Sequence, residues 1–404
     1  MPCIRNNQNN KNMERISDLE RKYVNEALDN AFATSKNSIF NSRLEKEFAE
    51  YFGMKYAIGS SNGTATLHQA VAALGCKPGD EVIAPALTMS SSSFGIIMAG
   101  CNPVFADSDK ETFQISAESI EKVITPKTKA VMTVALYGFC PDYDKILEIC
   151  KKHNLYLIED NAEAFGAKYK GKWVGTFGDF SSFSFQASKH LTTGEGGMLM
   201  TNNLEFADEA RRFGCLGYGS VGATKQKISR NDIQDPAYFR HVSVGFNYRM
   251  SELQAACALG QLQRADELVG NHKACAKIFD EAIKGQNLLI PEKAPEGCEP
   301  SYWTYCCVLN TDNPQKDWYE FRNLFQKNGG DPYYAAWKLS YQEPAFQNIV
   351  HNQPGIWQSY EPGLCPNSEY LQLRMIQLKT NYWNLDECKQ QAEILCKTID
   401  EFQR

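Results

Sequence analysis

The chain has 404 residues, of which 43% are hydrophobic and 22% charged, the balance of a globular protein with a sizeable core. A formal charge of -6 without a dominant basic patch argues against nucleic acid or a membrane surface as partner. No apolar run approaches the roughly 20 residues that span a bilayer. The opening MPCIRNNQNNKNMER is polar and Asn-rich, so it reads as a frayed lead-in and not as a signal peptide. Fourteen cysteines are spread over the chain, many in apolar contexts such as AACALG and YCCVL, without a CxxC pair or zinc spacing. They are expected to be reduced, buried small hydrophobes in a cytoplasmic protein, with no metal site.

In chain order, ISDLERKYVNEALDNAF and SRLEKEFAEYF carry apolar residues three and four apart, which predicts two helices. After Gly53 the style changes. KYAIGSS predicts a strand ending at Ile58, and NGTATLHQAVAALG a helix opening from it near Thr64. Strand PGDEVIAPA, helix SSSSFGIIMAG, strand CNPVFAD, helix SAESIEKVI, strand TKAVMTVAL, helix DYDKILEICKKH and strand NLYLIED follow. This alternation predicts an α/β fold: a three-layer αβα arrangement around a mostly parallel sheet, with ligands at the strands' C-terminal edge. Between 178 and 202, GDFSSFSFQ and GGMLMTN predict two strands flanking a glycine loop. An irregular stretch follows, from about Cys215 to Gly245, of the kind that serves function or meets a partner subunit. One long helix is predicted from Met250 to Ile283, and a smaller α+β domain closes the chain. The expected division is 1–37 as lead-in and helix, 38–270 as the large domain, and 271–404 as the small C-terminal domain.

Three constellations could carry chemistry. In SSNGTATLHQA, a helix starts directly after a strand, its unpaired N–H groups and dipole favouring an anion, with Gly63 permitting close approach and Thr64 adding a hydroxyl. An ordinary helix cap is the competing reading. Asp160 ends the apolar strand LYLIED, at the edge where open α/β sheets bind ligands, and could accept a hydrogen bond from a protonated ring nitrogen. Its neighbour Glu159 points to the other face, while Asn161 and Glu163 could share the pocket; a cap for a helix from Ala162 is the alternative. In FSFQASKHLTTGEGG, Lys189 sits between a serine-aromatic strand and a glycine loop, with few charges nearby. In a pocket of low polarity such an amine is a nucleophile. Ser182 and Ser184 face one way and either could contact a phosphate. A phosphate nest, a carboxylate for a pyridine nitrogen and a lysine for an aldehyde together suit pyridoxal 5′-phosphate.

From about residue 38 onward the chain resembles the DegT/DnrJ/EryC1/StrS sugar aminotransferases, pyridoxal-phosphate enzymes of fold type I. The pieces that carry the likeness are NGTATLHQAVAALG, KPGDEVIAPALT, GCNPVFADSD, LIEDNAEAFGA, GDFSSFSFQASKHLTTGEGGMLMTNN, GFNYRMSELQAA and CPNSEYLQLRMIQL. The resemblance implies that Lys189 holds the cofactor's aldehyde and shuttles the proton, and that Asp160 binds the ring nitrogen. Gly63, Thr64 and Ser184 would hold the phosphate, and Glu163 would lie close to the ring and its hydroxyl. Asn247 would reach the phosphate in a neighbouring subunit, implying a homodimer with shared sites. It further implies L-glutamate as amino donor and a keto sugar as acceptor, most often a nucleotide-linked 4-keto-6-deoxyhexose destined for surface polysaccharide. A 3-keto sugar, a cyclitol or another small polar ketone is the alternative acceptor.

Two departures stand out. Met89 occupies the place after PALT where the family usually carries an aromatic residue that stacks on the ring. The 215–244 stretch and the segment 329–346, with Tyr333, Tyr334 and Trp337, also differ; these three rings are expected to pack the small domain rather than wall the substrate. Members with histidine at the lysine position dehydrate sugars, chemistry that Lys189 excludes as the first reading. A lyase on the same cofactor and a non-catalytic regulator remain the rivals from other classes.

Overall fold

The computed structural model describes residues 13–32, 39–225, 228–352 and 360–404; the lead-in 1–12 lies outside the described residues. Thirteen strands occur among them. In chain order they are β1 (Tyr56–Ser60), β2 (Glu81–Pro85), β3 (Asn102–Ala106), β4 (Thr128–Val134), β5 (Tyr156–Asp160), β6 (Lys168–Tyr169), β7 (Lys172–Trp173), β8 (Phe180–Ser184) and β9 (Gly197–Thr201). The remainder are β10 (Leu289–Pro291), β11 (Cys298–Glu299), β12 (Thr304–Leu309) and β13 (Met375–Lys379).

Seven of them form one sheet in the order β1-β9-β8-β5-β4-β2-β3. The pairings β2–β3, β2–β4, β4–β5 and β5–β8 are parallel, and β9 alone is opposed to its neighbours β1 and β8. The central strands are buried on both faces, which is why β4 and β5 are mostly apolar, as in AVM and LI, before the buried carboxylates that end β5. Helices Gly63–Ala73, Ser91–Met98 and Leu204–Gly214 meet one face through a cluster that includes Ile58, Leu67, Ile96, Ile158 and Ala210. On the other face lie helix Tyr143–His153 and, further along, helices Ile39–Phe52 and Glu252–Gln263. Each buried Val, Leu, Ile, Phe or Met contributes on the order of 1.5–3 kcal/mol. The expected three-layer αβα fold with a mostly parallel sheet is present.

The C-terminal part carries the antiparallel sheet β10-β12-β13, packed on helices Ala265–Ala282, Pro314–Lys327 and Leu385–Phe402. A third sheet, β11-β6-β7, joins the C-terminal part to the turn after β5.

Several expectations need correction. The helix expected from Met250 to Ile283 is two helices, Glu252–Gln263 and Ala265–Ala282, broken at Arg264, which has φ -111° and ψ 12°. The apolar pattern runs on, but the Arg264 guanidinium is drawn to Glu20 at 2.9 Å and to the carbonyl oxygen of Glu14 at 2.6 Å. β1 continues to Ser60, two residues past Ile58, because β9 pairs with it along its whole length. Helix Leu204–Gly214, capped by the Asn203 side chain, was not anticipated. Neither were helices Pro344–Asn352 and Pro366–Gln372 or the short strands β6, β7 and β11. The described residues of the 215–244 stretch are irregular as expected, except for one short helix, Arg230–Gln234.

Candidate active site

β1, β5 and β8 run the same way, so the chain leaves all three at one edge of the sheet, and β9 re-enters there at Gly197. The sequence-predicted groups gather at this edge. Asp160, the last residue of β5, is buried. Its Oδ2 accepts from the Ser92 hydroxyl at 2.8 Å, and its Oδ1 from the Ala162 N–H at 3.1 Å. Burial pushes its carboxyl up, offset in part by those two donors and by the nearby Lys189 charge. A cation or a charged N–H beside it would favour its ionised form. The alternative of a helix cap does not hold, since residues 161–167 form turns and no helix starts there. Glu159 faces the other way, accepting from the N–H groups of Gly175, Phe177 and Gly178 at 2.7–2.8 Å, and so ties the sheet to the following loop.

Lys189 lies in the loop between β8 and β9 with its side chain only 14% exposed. Its Nζ donates to Glu163 Oε1 at 3.0 Å. Glu163 is itself buried, and its Oε2 accepts from the Tyr137 N–H at 3.0 Å. Three anchors hold the loop around the lysine. The Trp303 indole donates to the Ser188 carbonyl at 2.7 Å, Arg15 donates to the Lys189 carbonyl at 2.8 Å, and His190 Nε2 meets the Ser301 carbonyl at 3.1 Å. His190 therefore faces away from the amine, and burial pushes it down to about 3, so it is neutral and its Nε2 is the donor.

The third group is the helix start after β1. Asn62 caps it, accepting from the Ala65 N–H at 2.8 Å, which leaves the first N–H groups, those of Gly63 and Thr64, directed outward. Gly63 presses on Ser184: a Cβ there would come within 3.0 Å of Ser184 Cβ and 3.3 Å of its Oγ. A side chain larger than hydrogen would close the cradle that backbone and hydroxyl form together. Ser184 Oγ accepts from the Gln186 N–H at 3.2 Å, leaving its hydroxyl proton for another acceptor. Ser182, one residue pair deeper, bonds Thr66 Oγ1 at 2.6 Å and belongs to the packing. The structure thus separates two serines that alternation alone left equivalent.

Other residues stand apart. Met89 is 50% exposed, just ahead of the helix that supplies Ser92. Asn247 is exposed, and its backbone bridges Cys215. It ends a segment in which Phe239 and Val244 are 86% and 88% exposed. In the segment 329–346, Tyr333 packs against Trp318, Phe321 and Phe325 as expected, and Tyr334 is exposed. Tyr334 thus departs from the expectation of packing, whereas Trp337 is half-buried and packs against a core cluster. Its ring lies 6.1 Å from Trp303 and 6.0 Å from Tyr137, with planes within 21°. Trp303 in turn lies beneath Lys189 Nζ, 4.1 Å from its ring centroid.

Sequence reasoning missed Ser92, Tyr137 and Trp303. Ser92 was visible as one of four serines at a helix start, but nothing local tells which of them faces Asp160. Tyr137 and Trp303 have no local signal, for they arrive from distant parts of the chain. Thirteen cysteines among the described residues are all free thiols, and no group of three or more metal-ligating side chains occurs among those residues. No helix among them is long and apolar enough to cross a membrane.

Comparisons with known proteins place the chain in a family. The chain is 38% identical over 387 residues to a GDP-perosamine synthase of Escherichia coli, covering 96% of each chain. It is 40% identical over 299 residues to a GDP-perosamine synthase of Caulobacter vibrioides, covering 73% of this chain and 76% of the other. An aminotransferase from Psychrobacter cryohalolentis has the same fold, with a TM-score of 0.85 at 30% identity over 97% of this chain and 99% of that one. The family model of the DegT/DnrJ/EryC1/StrS aminotransferases matches residues 14–390, reaching further upstream than the motifs that begin near residue 38. The chain is therefore an aminotransferase of the DegT/DnrJ/EryC1/StrS family.

Proposed function

We propose that this aminotransferase moves the amino group of L-glutamate to a nucleotide-linked 4-keto-6-deoxyhexose, releasing 2-oxoglutarate and the 4-amino sugar for polysaccharide biosynthesis. Lys189 is the residue that carries the chemistry, and pyridoxal 5′-phosphate is the cofactor. The observation that carries this reading is the convergence of Lys189, Glu163 and Asp160 at one sheet edge, beside the Gly63–Ser184 cradle. The two GDP-perosamine synthases, alike over most of their length, support a GDP-linked sugar as acceptor.

The residues present fit the cofactor. The buried Asp160 carboxyl, pushed up by burial, needs a charged donor opposite it, and a protonated pyridine nitrogen is one. The Gly63 and Thr64 N–H groups and the Ser184 hydroxyl would hold the phosphate. When bound, the cofactor supplies the electron sink that weakens the Cα–H bond of the donor amine. The protein's part is proton handling and exclusion of water. Lys189 Nζ is the amine to hold the cofactor's aldehyde carbon and, once free of it, the base that takes and returns the substrate proton. Glu163 Oε1, 3.0 Å from Nζ, orients that amine. The Trp303 and Tyr137 rings and the Lys189 loop exclude water from one side. Met89 would leave room over the other face that an aromatic residue would fill.

The active unit we propose is a homodimer. The exposed ridge of Phe239, Val242, Val244 and Phe246 supports a second copy there, with Asn247 reaching across. We retain the division into a large domain, 38–270, and a small one, 271–404, as a proposal; the two separate sheets support it. A reducing, cytoplasmic setting is likewise proposed, supported by the thirteen free thiols.

The test is purified protein with pyridoxal 5′-phosphate, L-glutamate and a GDP-linked 4-keto-6-deoxyhexose, following 2-oxoglutarate and the amino sugar. Matched formation of both supports the proposal. Loss of water from the sugar without amine transfer would favour the lyase reading instead.

A further inference from the structure

The groups that touch Glu163 lead inward through a second set of buried polar side chains for which the reaction has no direct use. Gln114 and Glu292 are both buried. Gln114 clamps Leu136 from both sides: its Oε1 accepts from the Leu136 N–H at 3.2 Å, and its Nε2 donates to the Leu136 carbonyl at 3.2 Å. The second Nε2 proton goes to Glu292 Oε1 at 2.8 Å. Both amide protons and the amide oxygen are thus in use, and the network fixes which way the amide points.

The next residue is where the clamp matters. Tyr137 has φ 58°, a left-handed conformation that a bulky aromatic residue rarely adopts and that persists only where its surroundings enforce it. That conformation turns the Tyr137 N–H onto Glu163 Oε2. Behind the clamp, burial pushes the Glu292 carboxyl well up, and its Oε2 has no hydrogen-bond partner among the described residues.

We infer that Gln114 and Glu292 are positioning residues for the reaction: through the clamped Leu136 and the left-handed Tyr137 they set the orientation of Glu163, and so the placement of the Lys189 amine. The chain of bonds is continuous from Glu292 to Lys189, each link between 2.8 and 3.2 Å. This rests on the reading of Lys189 as the reacting amine. The charged or titratable groups around that amine are Glu163, Asp160 and His190, with Arg15 on its carbonyl; Cys306 and Glu292 lie behind Glu163.

The experiment compares Gln114→Ala, Glu292→Ala and Glu292→Gln with the parent. Protein freed of cofactor is labelled by competitive reductive methylation across a pH series, and the labelling of Lys189 is read by mass spectrometry. An amine no longer held by an anchored Glu163 is reached by the reagent more readily, so Lys189 should be labelled at least about twofold faster in Gln114→Ala and in Glu292→Ala throughout the series. Glu292→Gln keeps an acceptor for Gln114 and should restore the parental labelling. With cofactor, kcat should fall by about 10-fold in Gln114→Ala while the KM for L-glutamate changes less than about twofold. Parental labelling in both alanine variants would overturn the inference, as would a Glu292→Gln variant as impaired as Glu292→Ala. Should Gln114→Ala not fold, Glu292→Ala, which removes the bond that holds the Gln114 amide in its clamping orientation, decides alone. The labelling needs no amine transfer, so failure of the proposed activity and failure of the relay give different results.

Discussion

Trp303 meets the Lys189 loop twice with one side chain: its indole N–H binds the Ser188 carbonyl at 2.7 Å, and its ring face lies 4.1 Å from Lys189 Nζ. It comes from the segment just before β12, more than a hundred residues along the chain, and carries the C-terminal part onto the loop. Thr380 reinforces the arrangement, donating its hydroxyl to the Tyr302 or Trp303 carbonyl at 2.8–2.9 Å. Replacement by phenylalanine keeps a ring face and removes the N–H. Trp303→Phe should cost about 1 kcal/mol of stability, the usual net value of such a bond, and lower kcat several-fold because the amine is held less closely. Thermal unfolding and steady-state rates check this together; a parental kcat in Trp303→Phe would mean that the ring face alone suffices.

Lys189→Arg keeps the charge, and its neighbours are held by backbone bonds, so the variant should fold with a parental melting temperature. Amine transfer should fall by at least about 10²-fold, the contribution expected of a positioned general acid–base. Single-turnover formation of 2-oxoglutarate is the readout. Retained turnover would move the chemistry to another residue.

Gly63→Ala places a Cβ 3.0 Å from Ser184 Cβ, where ordinary contacts are longer. The helix N-terminus must shift by a few tenths of an ångström, and the cradle closes. Weaker retention of pyridoxal 5′-phosphate is expected, by about 10-fold in Kd, with little change in melting temperature of the cofactor-free protein. Equilibrium titration followed by absorbance would show it; an unchanged Kd would place the phosphate elsewhere.

The histidine pair predicts a pH dependence. His190 and His272 lie 4.7 Å apart between ring centroids, both buried and both pushed down. Their folded pKa values lie below the unfolded value of about 6.5. The unfolded chain therefore binds more protons below that pH, and stability is lost as pH falls from about 6.5 toward about 3, the folded value of His190. Each histidine contributes at most about 1.4 kcal/mol per pH unit. Unfolding in denaturant at pH 7 and pH 5 should show a smaller loss for His190→Gln than for the parent; equal losses would mean that the pair does not govern the slope.

The exposed ridge offers a fifth substitution, at the surface. Val244 is 88% exposed, so Val244→Asp should not disturb the fold of a single copy. In a dimer it buries a charge in an apolar interface, at a cost of several kcal/mol. Sedimentation should show the parent as a dimer and Val244→Asp shifted to monomer, with amine transfer falling in parallel.

Much of this protein is determined by local chemistry that the sequence carries by itself. The run of strands and helices from Tyr56 to Asp160 is legible because a doubly covered parallel sheet needs apolar strands, and helices need period-3.6 faces and caps such as Asn62 and Asp142. Asp160 and Lys189 are legible for a related reason: Asp160 ends β5 and Lys189 lies a short way past the end of β8, so the place of each at the sheet edge is set by a few residues of chain. Only the tertiary structure decides the rest. The break at Arg264 depends on Glu20 and the Glu14 carbonyl, which lie some 240 positions away, so no helical periodicity could reveal it. The choice of Ser184 over Ser182, and of Ser92 among its neighbours, depends on which helix packs across the sheet. Tyr137, Trp303, Gln114 and Glu292 reach the Lys189–Glu163 pair from four separate elements, and their bonds exist only once those elements have met.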